Sequence, residues 1–154
     1  MIHNIQDLVR EIQYVLAPAV MVSSSALLLL SFNNKFSSLA GRFRILNDEK
    51  RRLAVKPRRE TGEELRLKNL EAQLTNLMQR AQYVKQAIVL CYLSMAGFIG
   101  TSIMIFINVY SAFGLYQWVV GLFLVSLFLL LLSVFLMILE TEIFYKIISL
   151  ERKS

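Results

Sequence analysis

The sequence has one cysteine, one histidine, one tryptophan and two prolines among 154 residues, and each scarcity removes a class of explanation. A lone Cys91 offers neither an internal disulfide nor a thiolate cluster, and its apolar neighbours predict an inert thiol. His3 stands without a second imidazole or a nearby thiol, so no metal set can be read around it. Charge is missing from three stretches: Tyr14 to Phe32, Ala87 to Ile107 and Trp118 to Leu139 contain no Asp, Glu, Lys, Arg or His. Proton chemistry inside an apolar layer therefore has no group to work with, and no nucleophile has a base at readable spacing. The expectation is a protein that is not an enzyme, with no catalytic, cofactor-binding or metal residues. A monomeric secondary transporter is disfavoured as well, because three apolar runs give no paired repeats and no charged midplane site.

What the chain has in quantity is apolar surface. Hydrophobic residues make up 56% of it, too many for an ordinary soluble fold of this size. Each charge-free run is long enough to cross a bilayer as a helix. The fold class read from this is an all-α membrane protein with three transmembrane helices in a single domain. The division is an interfacial amphipathic helix over 1–13, spans over 14–32, 87–107 and 118–139, a charged hairpin over 33–86, an external turn over 108–117 and a helical tail over 140–154. The first 13 residues lack the basic stretch that precedes a signal-peptide core, so the first span is expected to be retained.

Orientation follows from the cations. Thirteen of the 17 Lys and Arg residues fall in the hairpin, Lys146, Arg152 and Lys153 follow the third span, and only Arg10 lies on the other side. Basic residues of short loops stay cytoplasmic, which predicts a cytoplasmic hairpin and C-terminus and an external N-terminus. That placement accounts for the net charge of +6, so no nucleic-acid partner is inferred from it.

The hairpin carries two apolar seams. Leu29, Phe32, Phe36, Leu39, Phe43, Leu46 and Leu53 recur at three and four residues, with Lys50 in one expected apolar place. Leu67, Leu70, Leu74, Leu77, Ala81, Val84 and Ile88 repeat the pattern without a break. These are heptads, and each wants a helical partner. Pro57 with Lys56, Arg58 and Arg59 forces a turn between them. Thr61, Glu63 and Glu64 then supply a capping hydroxyl and carboxylates for the start of the second arm. The first and second spans are thus expected to extend into an antiparallel cytoplasmic coiled-coil hairpin.

Within the spans, a small and polar stripe runs from Ala17 through Met21, Ser24, Leu28 and Ser31 to Lys35, Ser38 and Arg42. Serines in a membrane helix bond their own backbone and permit close packing. Gathered round an axis by several copies, Ser24, Leu28, Ser31 and Lys35 would instead line a pore, with Leu27 and Leu28 as its dry constriction. The second span has a comparable face at Ser94, Gly97, Thr101, Met104 and Asn108 beside the Ala96 and Gly100 pair. The third is nearly uniform Leu, Phe and Val, broken by Ser126 and Ser133, and is expected to face lipid. Glu140 and Glu142 close it, pointing about 200° apart, so that one of them is offered to Arg80 or Lys85 for ion pairing.

The LAPAVMVSSSALLLL helix, the NNKFSSLAGRFRIL segment with its paired arginines, the QRAQYVKQAI re-entry and the terminal LETEIFYKIISL together resemble a family of small bacterial integral membrane proteins classed only as a domain of unknown function. The resemblance implies a bacterial inner membrane and three helices, and no activity. Two readings follow. In one the chain self-associates into a homo-oligomeric, channel-like assembly lined by the first span. In the other it is a non-conducting structural or accessory subunit whose hairpin binds a partner protein or a larger membrane complex.

Overall fold

The computed structural model of the chain describes residues 5–55, 61–111 and 116–151, with side chains described over 16–55, 62–108 and 116–142. Among these residues there are three helices and no strand: α1, Ile5–Ala54; α2, Thr61–Ser111; and α3, Tyr116–Glu151. Each contains a stretch long and apolar enough to cross a membrane. At about 1.5 Å per residue, the 50 residues of α1 reach about 75 Å, more than twice a hydrocarbon core of about 30 Å. His3, the Pro57 turn, Gly114 of the external turn, and Arg152 and Lys153 lie outside the described residues, as do the side chains of the apolar tail beyond Glu142.

The N-terminal segment and the first apolar run are one element, because α1 continues through both. Pro18 consequently lies inside the helix and not in its first turn. Its missing N–H leaves the Tyr14 carbonyl without the usual donor four residues on.

α2 packs along both other helices and is the centre of the bundle. Against α1 it buries Leu70, Leu74, Val84, Ala87 and Cys91, facing buried Leu29, Phe32 and Leu39. All but Ala87 and Cys91 are members of the two heptads, brought together because the helices run antiparallel from a short connection. Lys50, the interruption in the first heptad, reaches across to Glu71 at 2.9 Å. From a position one turn nearer the start of α2, Arg66 Nε and Nη2 donate to Glu49 Oε1 at 2.9 and 2.5 Å. A buried cluster of Leu29, Phe32, Ala87 and Cys91 gathers all three helices, with Leu130, Val134 and Met137 of α3 against it.

Candidate functional site

Glu140 of α3 is completely buried, and two cations from the other helices converge on it. Arg80 of α2 donates from Nε at 2.9 Å and Nη2 lies at 2.8 Å, both to Oε1. Lys35 of α1 pairs with Oε2, which has no aligned hydrogen-bond donor and is countered by charge alone. The Lys35 ammonium also donates to Thr141 Oγ1 at 3.0 Å, and that hydroxyl in turn donates to the Met137 carbonyl at 2.9 Å. One carboxylate therefore holds all three helices together where their apolar spans end. A buried carboxylate is tolerable only when paired in this way, and two cations leave the cluster with a surplus positive charge.

The triad is the end rung of a longer ladder. Counting back from Glu140 by seven gives Ser133 and Ser126; counting forward from Arg80 by seven gives Ala87 and Ser94. Ser133 Oγ donates to the Ala87 carbonyl at 2.7 Å, and Ser94 Oγ donates to the Ser126 carbonyl at 2.7 Å. All six residues are buried. A shared seven-residue step keeps two helices in register along one seam. In an apolar surrounding, hydroxyl to carbonyl bonds and small residues supply the association that the hydrophobic effect does not. Gly97 marks the closest approach, since a Cβ there would lie 2.0 Å from Ser126 Oγ and 3.0 Å from its Cβ. Phe98 then stacks edge-inclined on Phe123, centroids 5.6 Å apart.

The remaining polar feature is the outward face of α1. Ala17, Ser24, Ser31 and Ser38 recur every seven residues and are all exposed. Gly41, on the same side, has open space around its Cα. Ser23, Ser24 and Ser25 donate to the carbonyls of Ala19, Val20 and Met21 at 3.3, 3.0 and 2.7 Å. The residues of this flank are therefore small, and the Ser24 hydroxyl on it is already satisfied by its own backbone. Ser25 alone turns inward, where its carbonyl meets Cys91 Sγ at 3.6 Å.

A family model described as a protein of unknown function, DUF2721, matches residues 15–150. The chain belongs to the DUF2721 family. No curated protein and no solved structure matches it. In this DUF2721 chain the candidate residues separate into two places. Arg80 and Glu140 meet in the triad, whereas Lys85 and Glu142 are exposed and outside it. Of the stripe residues, Ser24 and Ser31 face outward, Leu28 is half-buried against the core cluster, and Lys35 is drawn sideways to Glu140. Leu27 is 71% exposed, more than Leu16 and Leu30 of the same helix. Ser126, Ser133 and Thr141 were not among the candidates. The signal for the two serines was the seven-residue spacing of Ser126, Ser133 and Glu140, which an almost wholly apolar helix disguises; Thr141 had none. Among the described residues no group of three or more His, Cys, Asp or Glu could hold a metal ion.

Proposed function

We propose that this chain is a self-associating, non-enzymatic membrane protein whose α1 helices meet around a shared axis in a channel-like assembly. Its setting is the bacterial inner membrane, with the N-terminus outside and the α1–α2 arms projecting into the cytoplasm as a coiled-coil hairpin. One observation carries the reading: a flank of α1 about 100° round from its buried seam presents Ala17, Ser24 and Ser31 at heptad spacing, small and exposed. Among the described residues nothing within one copy covers that flank, and small residues at a helical repeat are what close helix association in lipid requires. Around an axis the serines would wet the path and Leu27 would narrow it.

The test is native mass spectrometry of the nanodisc-held protein followed by ion flux in liposomes. A single closed size of four or more copies is the expected result, and Leu27→Ser should raise leak, since Leu27 faces outward while Leu28 helps fill the core. A monomer, or unchanged leak from a folded variant, would count against the pore. The competing reading, an accessory subunit, draws on exposed Ile45, Val55 and Leu65 near the hairpin tip. A foreign chain in fixed stoichiometry would favour it.

A further inference from the structure

The α1–α2 arms have an open apolar groove of about 190 Å³ just past the spans, lined by Phe36, Ala40, Phe43, Arg44, Met78 and Ala81. Met78 is 48% exposed and Phe36 37% exposed, so the groove is uncovered in the single chain. It opens on the side away from α3. Arg80 faces α3 through Glu140, and Met78, two residues earlier on the same helix, points about 200° away.

α3 carries a face of matching shape that its own bundle also leaves bare. Ile138 and Leu139 are 53% and 37% exposed, and Glu142, exposed beside them, points about 200° from the buried Glu140. The bilayer holds every copy at one depth, so residues of two copies meet only at equal distance from it. The triad fixes that distance for each helix. Met78 lies two residues beyond Arg80, and Glu142 two residues beyond Glu140, both about 3 Å further out. Leu139 and Ala81 each lie about one residue on the membrane side.

Charge agrees with depth. Residues 33–46 and 72–86 hold Lys35, Arg42, Arg44, Arg80 and Lys85 and not one carboxylate. Arg44 lines the groove; its Cα lies nine residues, about 13 Å, beyond Lys35, and because helix side chains incline towards the N-terminal end its long side chain reaches back towards the depth of Glu142.

Resting on the self-association proposed above, we infer that the groove of one copy receives α3 of the next, with Ile138 and Leu139 on Phe36 and Met78 and Glu142 facing Arg44. The contact is head-to-tail: groove on one flank, α3 on the other. Repeated with closure it makes a ring and leaves the α1 face free to turn inward.

Oxidative cross-linking of the full chain carrying Met78→Cys with Leu139→Cys tests this. The two positions lie on opposite sides of one bundle, so a disulfide between them must join two copies. Buried Cys91 is left in place and each single variant serves as control. The expected result is a covalent ladder that passes the dimer and stops at the native subunit count, while single variants stop at the dimer. Absence of that ladder, with the unmodified protein still multimeric by native mass spectrometry, would overturn the docking and leave self-association standing. A monomeric unmodified protein would overturn both. Arg44→Glu should lower the assembled fraction about tenfold or more, and adding Glu142→Arg should restore it; failure to restore would overturn the pairing.

Discussion

Glu140 is fully buried between Arg80 and Lys35, so the two cations are not equivalent supports. Arg80 is itself about nine-tenths buried and donates two contacts, whereas the Lys35 side chain is one-third exposed. Removing a buried partner strands the opposite charge and costs about 3–5 kcal/mol. Arg80→Ala should therefore lower the unfolding free energy in detergent by an amount in that range, and Lys35→Ala by distinctly less. Equal losses would mean that Oε2 depends on Lys35 as strongly as Oε1 depends on Arg80. Gly97 gives a second prediction. Its missing Cβ leaves room for Ser126 Oγ, so Gly97→Ala should destabilise by about 1–3 kcal/mol through overpacking. Adding Ser126→Ala should recover part of that, because the 3.0 Å approach to the Ser126 Cβ remains. At this scale the sequence was partly legible. The offered charges included the Arg80 and Glu140 that meet, but nothing in the pattern of α1 tied Lys35 to them, since that requires three helices in register.

Among the elements, the α1–α2 pairing was the easiest to read, because polar residues surround Leu39, Leu70 and Leu74 and throw the heptads into relief. α3 was the hardest. Leucine and phenylalanine on all sides give no amphipathic contrast, and its packing face is set by Ser126 and Ser133, whose hydroxyls are small against that background. The α1–α2 seam also shows how an interrupted heptad is repaired: Lys50 takes an apolar place and bonds Glu71. That hydrogen bond, with the charge of Lys50 behind it, holds the Glu71 carboxyl below its ordinary value of 4.5. A carboxylate with a depressed value stabilises the fold above its unfolded value and ceases to do so as pH falls through the folded one. The tip of the hairpin should thus loosen below about pH 4.5, seen as faster amide exchange around residues 47–54 and 67–74. The Glu71 side chain is about half exposed, so the effect is small and salt-sensitive. Lys50→Leu completes the apolar repeat. It should slow exchange at neutral pH and flatten the acid response, and an unchanged acid response would place the sensitivity at another carboxylate.

The whole molecule has one helix at its centre and two at its flanks, and the flanks differ in what they leave uncovered. α3 is locked to α2 by a polar ladder, and its outer face is broad and greasy, suited to lipid along the span. α1 is locked to α2 by an apolar seam, and its outer face within the span is narrow, with alanine and serine at every seventh place. Beside exposed Leu16, Leu27 and Leu30, that small flank is where a neighbouring helix can approach closely, and the Ser24 hydroxyl already bonds its own backbone. Replacing Ser24 and Ser31 together by Leu separates the two uses of α1. Both side chains are exposed and off the α2 seam, so the helix content and melting transition of each chain should stay close to those of the original. The subunit count should fall, because two leucines widen the face that another α1 must approach. A variant that melts as before but still assembles to the original size would remove α1 from the shared axis and place the contact between copies elsewhere on the bundle.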